Sequence, residues 1–172
     1  VVNDVPVAQP SSVTTNEDTA KTFAVSDFLF TDTESDSLVS MTVSNLSLAS
    51  GDTLTVDQGS GPVAVTDGMT ITAAQIATLV YTPVLNANGS ARTTFDFIVN
   101  DLQSGTVAAT MSVNVTAVND APVLASIETT PLPYAPGANA TIITSTLSLT
   151  EVDNVNLTGA TVRITGGYLG GD

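Results

Sequence analysis

The chain has 172 residues, 42% of them hydrophobic, and 17 acidic side chains against 3 basic ones, for a net charge of −14. That balance excludes nucleic acid and disfavours anionic membrane surfaces, since both need a basic stripe; it leaves solubility and hard-cation binding as uses for the acids. With no Cys and no His, disulfides, thiolate or imidazole metal sites and Ser-His-Asp or Cys-His catalysis are all excluded.

Val and Thr are abundant throughout, a β-branched bias that favours strands. Residues 21–25 read as a strand, as do 38–46, where period-2 alternation is clear. Ser50, Gly51 and Asp52 make a turn before a strand at 53–56. A loop at 58–62 precedes 63–65, and Thr66, Asp67 and Gly68 turn the chain into 69–71. The tetrad TAAQ at 72–75 has capping-box spacing, with Thr72 as N-cap and Gln75 reaching back. It predicts a short helix over 73–78 with Ile76 and Leu79 turned inward. Residues 80–82 resume extended structure and Pro83 ends it. In 93–99, Phe95, Phe97 and Val99 share one face; 100–105 turns the chain. The return strand, 107–115, puts Val107, Ala109, Met111, Val113 and Val115 on one face. About seven short strands with regular turns predict a β-sandwich of roughly 115 residues.

Site chemistry argues against an enzyme. Carboxylate-pair hydrolysis is the one formal route left, yet the acids fall in short loop clusters and no Trp offers a sugar platform. Phe95 and Phe97 read as core, Asp27 and Asp96 as cap and strand-surface acids, and Tyr134, between Pro133 and Pro136, as a loop anchor. Five Asn-x-Ser/Thr sequons, at Asn45, Asn88, Asn114, Asn139 and Asn156, are expected by chance in so Thr-rich a chain. No apolar run reaches the length of a membrane span.

The chain repeats itself. VND at 2–4 returns at 118–120, with Pro6 and Pro122 following. FTDTE at 30–34 then meets LTEVD at 149–153, 38–43 meets 157–162, and 48–52 meets 168–172. Self-similarity at a fixed period signals tandem modules. The expected domains are a complete module at 1–117, then a linker and the N-terminal part of a second at 118–172. Either the chain was cut there or another polypeptide completes the fold. Taken alone, VNDAP also reads as an ordinary Asx-Pro turn.

FDFIVND at 95–101 followed by VNDAP at 118–122, with NED at 16–18 and DFLFTDTESD at 27–36, resembles the bacterial cadherin-like tandem repeats of large surface or secreted adhesins, the repeats-in-toxin-type extender domains. The resemblance covers the whole chain. It implies an all-β, cadherin/immunoglobulin-like β-sandwich repeat, one complete module plus the start of a second, with Ca²⁺ between successive sandwiches. At the lower junction it carries over Glu17, Asn119, Asp120, Glu151 and Asp153; at the upper, Asn3, Asp4, Asp32, Glu34 and Asp101, with Asp36 added. Ala117 stands where cadherins carry an acid, so fewer than three calcium ions per junction are expected. The implied role is a non-catalytic extracellular segment, secreted or at the cell surface, that stiffens and extends an adhesin. Its expected partners are neighbouring repeats of the same or another chain, with a polysaccharide or cell-surface receptor as further candidates. The alternatives are a carbohydrate-binding module, or a filament subunit completed by a strand from its neighbour.

Overall fold

The computed structural model describes residues 3–103, 105, 107–133, 137, 139–153 and 156–163. Tyr134 and the repeat match at 168–172 lie outside them. The chain forms two compact units, Val1–Val118 and Asn119–Asp172.

Unit 1 is built from eleven short strands: β1 (Val7–Ala8), β2 (Ser11–Asn16), β3 (Lys21–Thr22), β4 (Phe30–Thr31), β5 (Ser40–Ser47), β6 (Thr53–Asp57), β7 (Pro62–Ala64), β8 (Thr70–Thr72), β9 (Val80–Thr82), β10 (Gly89–Asn100) and β11 (Ala109–Thr116). They form a five-stranded sheet of order β2-β11-β10-β5-β8 and a four-stranded sheet of order β3-β9-β6-β7, while β1 pairs separately with β4. This is the all-β sandwich that the strand spacing predicts. All pairings are antiparallel except that of β11 with β2, which run parallel with Val13 opposite Val113.

Alternation decides what is buried. Phe95, Phe97 and Val99 of β10 are fully buried, and so are Met111 and Val113 of β11. They pack on Phe23 and Phe28; the Phe28 and Phe97 rings meet edge-on with centroids 5.2 Å apart. Edge-on geometry suits the aromatic quadrupole. Helix α1 (Ala73–Ile76) starts where the capping box puts it but ends two residues short of the expected 78: Thr72 N–H donates to Gln75 Oε1 at 2.9 Å, and Ile76 and Leu79 are fully buried.

The strand expected at 38–46 runs Ser40–Ser47, and three further expectations differ. Val107 is half exposed and the return strand starts at Ala109. The strand at 21–25 ends at Thr22, because a 3-10 turn, Val25–Asp27, follows; the Asp27 carboxylate accepts Ala24 N–H at 2.9 Å and pairs with Lys21 at 3.1 Å. Asp27 is thus a cap, and Asp96 a strand-surface acid accepting from Asn45 and Thr110. The third difference is Asp52, read as a turn residue. It is a buried carboxylate bound by the Tyr81 hydroxyl at 2.5 Å, Val84 N–H at 2.9 Å and Arg92 at 2.9 Å.

The described residues of unit 2 form one antiparallel pair, β12 (Val123–Ala125) with β13 (Ser148–Thr150). Among its described residues no hydrophobic side chain is buried.

Candidate metal centre

Strand ends gather the acids. Asn3 and Asp4 precede β1, Asp32 follows β4, to which β1 is paired, and Asp101 follows β10. At this end of unit 1, carboxylate oxygens of Asp32, Asp36 and Asp101 all lie within 4.8 Å of one another. The loop after β4 is wound around one of them: Asp32 Oδ1 accepts Glu34 N–H at 3.0 Å and Asp36 N–H at 2.9 Å. The other oxygen, Asp32 Oδ2, is buried and has no hydrogen-bond partner. Asp101 is only 1% exposed; its Oδ1 accepts Gln103 N–H at 3.0 Å, and the Asn3 amide stands 3.4 Å from both its oxygens. Glu34 closes the ring by accepting Asp4 N–H at 3.0 Å, and the Gln103 amide donates to the Asn3 carbonyl. The upper-junction residues taken from the sequence therefore come together in one place. Gln103, which the sequence reading missed, holds two of them.

Among the described residues, no basic side chain pairs with these acids. In unit 1, Lys21 pairs with Asp27 and Arg92 with Asp52. Two unit charges about 4 Å apart at an effective dielectric near 20 interact by about 4 kcal/mol, so the carboxylates repel strongly unless a cation joins them. Every donor is oxygen, the chemistry of a hard cation; six to eight flexible oxygen ligands suit Ca²⁺ better than the strict octahedron of Mg²⁺. The buried, unpartnered Asp32 Oδ2 is an open ligand position, so this residue set fits calcium.

The remaining residues divide between the units. Glu17, 3% exposed, belongs to unit 1, where its two oxygens accept Val118 N–H at 2.5 Å and the Asn88 amide at 3.2 Å. Asn88 carried no sequence signal as its partner. Asn119, Asp120, Glu151 and Asp153 belong to unit 2, where they repeat three bonds of the upper arrangement. Asp120 N–H donates to Asp153 Oδ2 at 2.5 Å, as Asp4 N–H does to Glu34. Asp153 N–H donates to Glu151 at 3.2 Å, as Glu34 N–H does to Asp32. The Asn119 amide donates to the Asp120 carbonyl at 2.8 Å, as Asn3 does to that of Asp4. Strand register repeats as well: Val123 faces Thr150 and Leu124 faces Leu149, as Val7 faces Thr31 and Ala8 faces Phe30.

No curated protein and no solved structure matches the chain. The model of the family described as Bacterial Ig domain matches residues 3–114. That stretch runs from Asn3 of the acidic cluster through both sheets into β11, and on it the chain belongs to the bacterial Ig domain family.

Proposed function

We propose that this chain is a non-catalytic, calcium-stiffened segment of a bacterial surface or secreted protein, built of tandem Ig-like modules as in the extenders of large adhesins. The observation that carries the reading is the cluster of Asp32, Asp36 and Asp101, with an open buried oxygen and, among the described residues, no basic side chain paired with it. Asp32, Asp36, Asp101 and Glu34 would hold the ion, and Asn3 would join them after a half-turn of its amide. Ca²⁺ would supply charge neutralisation, tying the segment before β1 to the end of β10. The corresponding bonds in unit 2 support a repeated device. Module arrays gain from this because end-to-end domains otherwise move freely. Neighbouring repeats are accordingly the first partners; a distal adhesive domain would act on the cell's surroundings. A sugar platform finds no support in Tyr81, which is fully buried.

Calcium titration calorimetry on the full chain tests this. A dissociation constant near 10⁻⁴ to 10⁻³ M is expected for an extracellular module. Free calcium about a hundredfold above it should add roughly 2.7 kcal/mol to the stability of unit 1. Asp101→Asn should abolish most of both effects, whereas Asp57→Asn, at the end of β6, should leave them intact. No calcium-dependent heat and no shift in melting temperature in the wild type would sink the proposal.

A further inference from the structure

Glu17 is the knot at which the chain leaves unit 1. Its N–H donates to Thr116 O at 2.9 Å; its Oε1 accepts Val118 N–H at 2.5 Å and its Oε2 the Asn88 amide at 3.2 Å. Val118 is the last residue of unit 1. The loop that carries Asn88 is tied to the same turn a second time, where Asn86 N–H donates to Asp18 Oδ1 at 2.7 Å. Asn88 is thus a neutral donor to a turn that carries two adjacent acids. Its own neighbour makes it labile. Asn88-Gly89 is the sole Asn-Gly pair of the chain. Asparagine deamidates when the next backbone nitrogen attacks its side-chain carbonyl carbon, and glycine, with no Cβ, shields that nitrogen least. The fold itself requires this glycine, because Gly89 has φ +145°, where an L side chain is strained. Asn88 is exposed, and outside the flanking residues no atom lies within 4 Å of where a Gly89 Cβ would stand. The ladder with β11 breaks directly after Gly89 and resumes at Thr93. Reactive pair, solvent access and room for ring closure therefore coincide.

We propose that Asn88 is a deamidation site whose product loosens the hold of Glu17 on Val118. Gly89 N bonds to Asn88 Cγ, the Cγ–Nδ2 bond breaks, and the amide leaves as ammonia with the proton of Gly89 N–H. Water then opens the succinimide at either carbonyl, to aspartate or to isoaspartate. Solvent water is the only co-reactant, and no electrons are exchanged. The donor to Glu17 becomes a carboxylate, so an attraction turns into repulsion beside an acid that is only 3% exposed. Relieving it parts the loop from the turn, and Val118 N–H loses its fixed acceptor. The change runs one way: the segment that leaves unit 1 loosens as the protein ages.

The full chain, held at mildly alkaline pH in chelator, is digested at intervals and mapped by mass spectrometry, with the chain unfolded in urea as reference. Chelator keeps any cation from masking the new charge, so the outcome is independent of the metal reading. Position 88 should convert ahead of every other asparagine, to aspartate and isoaspartate, with matching release of ammonia. Asn88→Gln should remove that conversion, since glutamine must close a larger ring. Amide hydrogen exchange reads the consequence. Asn88→Asp should speed exchange at Val118 by about tenfold or more, the scale of a lost hydrogen bond to a charged group. It should exceed the effect of Asn88→Ala, which removes the donor and adds no charge. Asn88 left intact in the folded chain over the time in which it converts in urea overturns the site. Exchange at Val118 that is unchanged by Asn88→Asp, or equal in Asn88→Asp and Asn88→Ala, overturns the charge-driven loosening.

Discussion

Removing the Asp52 carboxylate should destabilise unit 1 by about 3 kcal/mol, a value set by what it leaves behind. Asp52 is 7% exposed and binds three donors, Tyr81 Oη at 2.5 Å, Val84 N–H at 2.9 Å and Arg92 Nη2 at 2.9 Å. Asp52→Ala orphans all three. Breaking a buried ion pair by deleting one partner costs about 3–5 kcal/mol; the Arg92 side chain is partly exposed and can recover some water, so the lower end applies. In a domain of this size 1 kcal/mol corresponds to roughly 4 °C or more, so the melting temperature should fall by about 12 °C. Urea titration should show a lower midpoint at unchanged slope. Asp52→Leu combined with Arg92→Leu should be less damaging than Asp52→Leu alone, because no unpaired charge stays buried. The acid limb carries the same signature. Burial raises the Asp52 pKa, but hydrogen bonds from Arg92, Tyr81 and Val84 N–H, with the Arg92 charge, outweigh it and hold the pKa below its ordinary value. A depressed carboxyl contributes stability that is present above the unfolded pKa, near 3.9, and lost as pH falls through the folded value. Asp52→Ala within about 0.5 kcal/mol of wild type, the range of a neutral surface change, would refute the reasoning.

Burial and the Asp52 hydrogen bond push Tyr81 up to about 12, so its contribution should hold below about pH 10 and vanish between 10 and 12; Tyr81→Phe should remove that alkaline step in a pH series of melts. Gly105→Ala would set a Cβ 2.4 Å from Val99 O, which backbone cannot yield cheaply, and should lose about 1–3 kcal/mol by urea denaturation. Thr72→Ala deletes the cap of α1; the Gln75 N–H to Thr72 Oγ1 bond is long, at 3.3 Å, so a loss of about 0.5–1 kcal/mol is expected in the same assay.

Period and capping were legible because they are local. The alternation of Phe95, Phe97 and Val99 and the Thr72–Gln75 box each place a side chain from neighbours in sequence alone. Strand β2 escaped notice because SSVTTN carries a single apolar residue, Val13; its order comes from parallel pairing with β11, which no local pattern announces. Val107 satisfies the alternation of 107–115, yet the ladder with β10 begins at Ala109, so period 2 extended the strand past its last pairing. The Asp52 network joins three residues separated by 29 to 40 positions, and each looks ordinary alone. Asp67 shows the same limit: read as a turn residue, it accepts Leu46 N–H at 2.9 Å across 21 positions.

The acidic site divides along that line. Which acids belong to it was carried by the resemblance, motif by motif; how they are held was not, because nothing in the sequence around Gln103 or Asn88 signals a contact with the acids. The geometry does show what the repeated VND is fastened to. An ordinary turn would satisfy its Asp N–H within the turn itself. Asp4 N–H instead reaches Glu34, 30 residues away, and Asp120 N–H reaches Asp153, 33 residues away. Both bonds fasten the segment before a strand to the acidic loop after that strand's partner. A substitution in VND therefore acts through the loop, and one in the loop acts through VND. Double-mutant cycles should reveal coupling of about 0.5 kcal/mol or more between Asn3→Ala and Glu34→Gln, which share the Asp4 segment as a link. Additive effects would return the motif to the status of a simple turn.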